Sequence, residues 1–127
     1  MDTPKPNPTD GASIRRDERA AKRVPCSGRA KVAHSNGLLQ EGKTFDISRS
    51  GVYIMLENRV PIGASYSITI AVFKAGQTHN FTVQAKCVHA TLVGEMGFKH
   101  GFEFERPGDA AMKSISTLTD TTGAVFT

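Results

Sequence analysis

The sequence predicts an all-β, mainly antiparallel domain, either a sandwich or a barrel, followed by one short C-terminal helix. Apolar and polar residues alternate with a period of two in several short segments, and turn-forming residues separate these segments at the spacing of antiparallel strands. Only after Pro107 does the apolar spacing lengthen to three residues, which is typical of a helix. At 127 residues the chain is long enough to bury one core without disulfides, so we expect a single domain.

The alternating pattern recurs in six segments, and each predicts one strand: Ser27–Ala33, Leu38–Phe45, Val52–Leu56, Ser65–Phe73, His79–His89 and Phe98–Phe104. The alternation is clearest in the fourth and fifth segments, whose apolar sets are Tyr66, Ile68, Ile70, Val72, Phe81, Val83, Ala85 and Cys87. Ser35-Asn36-Gly37 predicts a hairpin turn, because the Asn-Gly pair tolerates positive φ. Gly42 predicts a β-bulge in the second strand.

The two ends of the chain differ from this pattern. Residues 1–13 contain three prolines in eight positions and few apolar side chains, so we expect a disordered tail. Asp109 is predicted to cap a helix at 109–119, which would face the barrel with Met112, Ile115 and Leu118. Residues 120–127 predict a frayed tail, and the folded domain is therefore expected to span residues 14–119.

The net charge of +4 is concentrated in one short stretch. Residues 14–31 carry seven Lys or Arg side chains against two acidic ones, whereas residues 32–127 carry eight of each sign. Proteins that track a nucleic-acid backbone usually spread positive charge over a face. A basic arm at residues 14–24 suits a compact anion better, or a tail that samples anionic surfaces. We expect this arm either to form one or two helical turns or to stay mobile until a ligand orders it.

Several other classes of protein are disfavoured. No apolar run approaches the ~20 residues of a membrane span, and the polar, acidic start is unlike a signal peptide. We therefore expect a cytoplasmic protein with reduced thiols at Cys26 and Cys87. Cys87 and His89 share one predicted strand face, but the spacing supplies no third ligand, so we expect no metal and no cofactor. The sequence suggests no base for Ser48 as a nucleophile, so we expect no enzyme.

Two motifs supply the groups that a ligand would need. The cluster Arg15–Arg23 supplies guanidinium groups, which stay charged, fork onto phosphate and match the O6/N7 edge of guanine. Arg19 and Arg23 are four residues apart, so a helical arm would point both the same way. The turn Asp46–Gly51 supplies a carboxylate that can accept from guanine N1–H and N2–H, a serine hydroxyl, and a glycine. This glycine either lets the backbone approach a ligand or adopts positive φ.

An Arg-x-x-x-Arg motif followed about twenty residues later by Asp-x-Ser-x-x-Gly resembles the PilZ family of cyclic di-GMP receptors. Other features also resemble that family: the hairpin, the later strands, the segment Gly101–Phe104 at the end of the last strand, and the helix that follows. The resemblance implies a six-stranded β-barrel that holds cyclic di-GMP on its outer surface under a flexible N-terminal arm. It also implies that the ligand is bound by Arg19, Arg23, Asp46, Ser48 and Gly51.

The first motif has two frames, because Arg15 and Arg19 also match Arg-x-x-x-Arg. Val24 and the first strand follow Arg23 directly, as the family pattern requires, so we assign Arg19 and Arg23 to the motif. Auxiliary ligand contacts are then expected from Arg15, Arg16, Lys22 and Arg49. Glu18 precedes the first motif arginine, at a position thought to influence whether one or two nucleotides bind, and the stoichiometry stays open.

The resemblance implies a receptor whose arm orders on cyclic di-GMP and whose liganded surface acts on an unidentified downstream protein. We expect a monomer with no membrane and no nucleic acid among its partners. Two alternatives from other classes are a small β-barrel that binds single-stranded nucleic acid through its basic arm, and a PilZ-like protein adaptor that binds no nucleotide. The first alternative predicts that Asp46→Ala has little effect on oligonucleotide binding. Retention of every motif residue argues against the second.

Overall fold

The computed structural model describes residues 23–34 and 37–120. Within these ranges the chain forms six strands and one helix, with a short 3-10 turn at Gly94–Met96. The elements are β1 Val24–Ala33, β2 Leu39–Ile47, β3 Gly51–Leu56, β4 Ser65–Lys74, β5 Gln77–Leu92, β6 Phe98–Phe104 and α1 Asp109–Thr119. The strands close into a barrel in the order β1-β2-β3-β6-β5-β4, and all neighbouring pairs are antiparallel. The predicted fold class is confirmed, while the arm as far as residue 22 and residues 121–127 lie outside the described residues.

The core lies inside the barrel and follows the predicted alternation. In β4 and β5 the inward side chains are all buried, and they comprise Tyr66, Ile68, Ile70, Val72, Phe81, Val83, Ala85 and Cys87. Ile47, Val52, Ile54 and Phe102 extend this core across β2, β3 and β6. Full burial of an aliphatic side chain contributes about 1.5–3 kcal/mol, so the interior rather than the loops holds the barrel together. The outer face is thereby left for other functions.

The helix α1 packs against β5, β1 and β2, but its cap and its apolar stripe differ from the prediction. Gly108 is the N-cap residue, Asp109 is the first helical residue, and no side chain caps the helix. Asp109 still lies in the first turn, where a carboxylate interacts favourably with the helix dipole. The buried stripe is Ala111, Ile115 and Leu118, whereas Met112 is 36% exposed. The prediction of Asp109 as the cap and Met112 as a core residue was therefore wrong.

Within the described ranges no helix has the length and apolarity needed to cross a membrane.

The predicted bulge at Gly42 is absent from the ladder, because Gly42 pairs regularly with Ala30. A Cβ atom at Gly42 would collide with the carbonyl oxygen of Met55, so glycine is needed there for close strand approach. The register shifts instead between Pro25 and Gly28, between Thr44 and Asp46, and between Cys87 and His89. In the predicted hairpin turn, Gly37 has a φ of 91°, while residues 35 and 36 lie outside the described ranges.

Two of these irregularities redirect side chains on the face that carries the motif turn. In β2, Phe45 is the extra residue between Thr44 and Asp46, so Phe45 and Asp46 both face outward, and Phe45 is 39% exposed. In β5 the irregularity leaves Cys87 buried in the core and turns His89 to the outer surface. The predicted common face of Cys87 and His89 is therefore wrong. Bulges that re-aim side chains are frequent next to functional sites.

His100 occupies the core face of β6, between the positions of Phe98 and Phe102, and its side chain is 0% exposed. Its Nε2 accepts a hydrogen bond from the Val60 backbone N–H at 3.0 Å, which assigns the proton of the neutral ring to Nδ1. Burial lowers the pKa of His100, and the Phe98 backbone opposes this shift only in part. Among the described residues Nδ1 has no hydrogen-bond partner. His100 is therefore a neutral core residue at physiological pH.

Candidate ligand-binding site

A shallow depression on the outer surface of the barrel lies where β2 turns into β3. It is lined by residues from the first described position, the motif turn and the adjoining strands: Arg23, Asp46, Ser48, Ser50, Gly51, Val52, Tyr53, Val88, Gly101, Phe102 and Glu103. The chain therefore brings the second predicted motif next to the last residue of the first. This proximity comes from the β1–β2 hairpin, in which Val24 pairs with Ile47 and Pro25 pairs with Asp46, although the two motifs are separated by β1 and most of β2.

The turn between β2 and β3 is held by its own hydrogen bonds. The Ser48 backbone N–H donates to the Gly51 carbonyl at 2.8 Å, and the Ser48 hydroxyl oxygen accepts from the Ser50 N–H at 3.2 Å. The two serine hydroxyls also lie 3.2 Å apart. Ser48 is only 7% exposed, so its hydroxyl sets the shape of the turn as well as lining the depression.

Gly51 is required by a strand contact rather than by an unusual backbone conformation. Its φ is not positive, unlike that of several described glycines in the connections. A Cβ atom at Gly51 would collide with the carbonyl oxygen of Phe102 on β6. The backbone of β6 therefore approaches Gly51 so closely that only glycine fits. Neither role that the sequence suggested for this glycine, a positive φ or an approach to the ligand, is needed to explain it.

Four residues form a row across the outer face, next to the turn. Asp46 on β2 pairs with Tyr53 on β3, Tyr53 pairs with Gly101 on β6, and Gly101 pairs with His89 on β5. Directly paired residues of antiparallel strands point to the same face, about 5 Å apart. The rings of Tyr53 and His89 meet edge to face above Gly101, with their centroids 6.1 Å apart. This row therefore presents one carboxylate and one aromatic platform beside the turn.

Arg23 is fixed on this platform. Its Nη2 donates to the Tyr53 hydroxyl at 2.7 Å, and its Cζ lies 4.3 Å from the centroid of the Tyr53 ring. The Nζ of Lys99 lies 5.0 Å from the same centroid and 4.9 Å from that of Phe45. Tyr53 thus contacts two cations, and such contacts contribute roughly 0.5–1 kcal/mol each at exposed sites.

The described residues of the depression contain two carboxylates, Asp46 and Glu103, against one guanidinium, Arg23. This part of the site by itself does not favour an anion. The positive charge that a phosphate requires would have to come from the basic segment before residue 23.

Burial raises the pKa of the nearby Cys26 thiol and of the core thiol of Cys87, so both stay protonated at neutral pH. Within the described ranges no three His, Cys, Asp or Glu side chains are grouped to hold a metal ion.

Of the predicted ligand contacts, the structure brings Arg23, Asp46, Ser48 and Gly51 to one depression. Arg49 lies exposed in the turn and does not line the depression. The predicted contacts Arg15, Arg16, Arg19 and Lys22 lie outside the described residues. Sequence reasoning missed Tyr53, Gly101 and Glu103. A signal for Tyr53 was present, because it lies two residues after Gly51 in an alternating strand and therefore points to the same face.

The fold and site define a small antiparallel β-barrel with a surface depression that is lined by the β2–β3 turn and by Arg23. The sequence matches the PilZ domain family over residues 14–120. The chain therefore belongs to the PilZ domain family. The comparison with curated proteins by sequence found no match.

Solved structures support the same fold. The inhibitor of motility MotI/DgrA from Bacillus subtilis matches with a TM-score of 0.64 at 13% identity, over 78% of this chain and 46% of that chain. The PilZ domain of YcgR from Escherichia coli, solved with c-di-GMP, matches with a TM-score of 0.57 at 12% identity, over 84% of this chain and 92% of that domain. The K. pneumonia MrkH–c-di-GMP complex matches with a TM-score of 0.61 at 13% identity, over 76% of this chain and 48% of that chain. The chain thus spans less than half of MotI/DgrA and MrkH, and nearly all of the isolated YcgR domain.

Proposed function

We propose that this protein is a receptor for cyclic di-GMP. The observation that supports this most directly is the shared depression, in which Arg23 from the first motif lies beside Asp46, Ser48 and Gly51 from the second. Membership of the PilZ domain family and the c-di-GMP named for the YcgR domain and MrkH structures point to the same ligand. The proposal assigns the chain no catalysis and no cofactor, since the nucleotide acts as a ligand.

The proposed contacts divide the ligand between the arm and the barrel. The carboxylate oxygens of Asp46, which is half-buried at the depression, accept from guanine N1–H and N2–H. Arg19 and Arg23 bind the phosphates and guanine edges as bidentate forks. Ser48 and Gly51 contact the phosphate edge from the turn. Auxiliary charge is assigned to Arg15, Arg16, Lys22 and Arg49.

This division explains how binding could be turned into a signal. Because the described lining is on balance acidic, the ligand gains the further phosphate contacts of Arg19 and its basic neighbours only when the arm closes over the barrel. The ligand therefore favours the closed arrangement of the arm by the free energy of those contacts. We propose that the closed surface acts on a separate protein and that the receptor is a cytoplasmic monomer. Size-exclusion chromatography with light scattering, with and without ligand, tests the oligomeric state.

Isothermal titration calorimetry with pure cyclic di-GMP tests the proposal. We expect micromolar or tighter binding that is abolished by Arg19→Ala and Arg23→Ala and reduced by at least tenfold in Asp46→Ala, because each removes a charge-assisted contact. The matched control is Arg59→Ala, which removes an exposed arginine from the β3–β4 connection at the opposite end of the barrel. Its affinity should equal that of the wild type. No binding heat with the wild-type protein would contradict the proposal.

A single-stranded oligonucleotide series distinguishes the nucleic-acid alternative. That alternative predicts affinity that rises with oligonucleotide length, falls steeply with salt and ignores Asp46→Ala. Cyclic di-GMP binding should instead depend on Asp46 at any salt concentration, because its carboxylate recognises the guanine edge.

A further inference from the structure

We propose that Tyr53 is a positioning residue for Arg23: it holds the guanidinium at the rim of the depression before the ligand arrives. This inference rests on the proposed function, since it concerns how that site is prepared. Tyr53 belongs to neither motif. It is two residues beyond the last motif position and reaches the site only because β3 alternates.

The geometry joins Tyr53 to Arg23 through two separate interactions. The hydroxyl accepts from Nη2 at 2.7 Å, and the guanidinium carbon lies 4.3 Å from the ring centroid. The hydrogen bond to Tyr53 uses one of the five N–H donors of the guanidinium. Arg23 in this position lines the same depression as Asp46, which is the direct cross-strand partner of Tyr53.

Tyr53 is itself held in place, which a positioning residue must be. Its ring lies over Gly101, where an added Cβ would come within 2.9 Å of the ring carbon Cε1 and 3.1 Å of the Cβ of His89. The His89 ring packs edge to face on one side, and Lys99 contacts the ring through its ammonium. The absence of a side chain at Gly101 therefore creates the space in which the Tyr53 ring rests.

Positioning matters because a long, flexible side chain loses rotamer freedom when it binds a ligand. An arginine already fixed at the site loses less of that freedom on binding, so the affinity rises without a new ligand contact. Tyr53→Phe keeps the ring but removes the hydrogen bond to a charged group, and we expect about 3- to 10-fold weaker binding. Tyr53→Leu removes the aromatic face as well and should weaken binding a further ~2- to 5-fold.

A double-mutant cycle separates positioning from a general structural effect. Cyclic di-GMP affinity is measured for the wild type, Tyr53→Phe, Arg23→Lys and the double variant, because Arg23→Lys keeps one positive charge for the phosphate whereas Arg23→Ala should abolish binding. If Tyr53 acts through Arg23, removal of the hydroxyl has no further effect once Arg23 is absent. An equal loss in both backgrounds, or no loss in Tyr53→Phe, would overturn the inference.

The second tyrosine provides the matched control. The Tyr66 hydroxyl donates to the Pro61 carbonyl at 3.1 Å, on a different strand and away from the depression. Tyr66→Phe also removes one tyrosine hydroxyl and its single hydrogen bond, although that bond donates to a neutral carbonyl. It should lower stability slightly and leave the affinity unchanged, so a loss of affinity in both variants would indicate a nonspecific effect.

A measurement without ligand keeps the inference distinct from the proposed function. In ¹⁵N-labelled protein, the Nε–Hε resonance of Arg23, assigned with Arg23→Lys, should shift in Tyr53→Phe and in Gly101→Ala but not in Tyr66→Phe. If the wild type binds no cyclic di-GMP and these shifts appear, the proposed function fails while the docking of Arg23 stands. If Tyr53→Phe leaves the Arg23 resonance unchanged, the inference fails whatever the ligand. This readout also decides the case in which the double variant binds too weakly to measure.

Discussion

Gly51→Ala tests whether the last residue of the second motif serves the strands or the ligand. The added Cβ would collide with the carbonyl oxygen of Phe102 and would lie 3.3 Å from its carbonyl carbon and 3.4 Å from the Cα of Glu103. All three atoms belong to the backbone of β6, so no side-chain rotation relieves the clash. The strands β3 and β6 must separate at Gly51, which pairs directly with Glu103.

The magnitude follows from that geometry. Overpacking typically costs about 1–3 kcal/mol, and a clash with backbone belongs at the upper end of this range. We therefore expect Gly51→Ala to lower the free energy of unfolding by about 3 kcal/mol in the absence of ligand. For a domain of this size the melting temperature should fall by roughly 10 °C. Urea denaturation should show a lower midpoint with an unchanged m-value, because the surface exposed on unfolding is the same.

Gly108→Ala is the matched control, because an added Cβ there meets nothing within 4 Å and the backbone has a φ of −70°. Its loss of stability should stay below about 1 kcal/mol, the modest effect of alanine at a helix N-cap. The reasoning would be refuted if Gly51→Ala were as stable as Gly108→Ala but had lost cyclic di-GMP binding. In that case the glycine would serve the ligand directly, and the approach of β6 would not explain its presence.

Three further predictions concern the charge and the hydrogen bonds of the fold. Glu103→Gln should strengthen cyclic di-GMP binding about 2- to 3-fold at low salt, since it removes one carboxylate from the depression, and calorimetry showing weaker binding would contradict this. Ser48→Ala should cost about 1 kcal/mol of stability in urea denaturation, because the Ser50 N–H loses its acceptor, and a neutral result would argue against a structural role for the hydroxyl. Burial lowers the pKa of His100 in the folded protein, so the neutral ring stabilises the fold fully above the unfolded-state pKa of about 6.5. This stabilisation is lost as the pH falls below that value. The loss in the free energy of unfolding should be at most about 1.4 kcal/mol at pH 5.5. Denaturation at pH 7.5 and 5.5 should show a smaller pH effect in His100→Gln than in the wild type, and equal effects would contradict the assignment.

The alternation of β4 illustrates what local sequence can predict. Tyr66, Ile68, Ile70 and Val72 are buried as expected, because the period of two is a property of the strand itself. The six strands, their antiparallel pairing and the motif turn between β2 and β3 follow from the same kind of signal. His100 could have been assigned to the core in the same way, since it alternates with Phe102.

The irregularities could not be predicted, because each depends on a partner strand distant in the sequence. The shift of β2 against β3 places Phe45 and Asp46 together on the outer face, and the shift of β5 against β6 turns His89 outward. Gly42 and Gly51 look like conformational glycines in the sequence. Their real requirement is the approach of a neighbouring backbone, which no local pattern contains.

The sequence by itself determined the class of fold, the concentration of charge before the first strand, and the two motifs on which the proposed ligand depends. These are properties of residue type and spacing. Only the tertiary structure decided that Arg23 rests on Tyr53, that Gly101 makes room for that ring, and that Glu103 lies in the same depression as Asp46. The physical reason is long-range strand pairing: β6 pairs with both β3 and β5, so that residues distant in the sequence, such as Asp46 and Glu103, which are 57 positions apart, border one site.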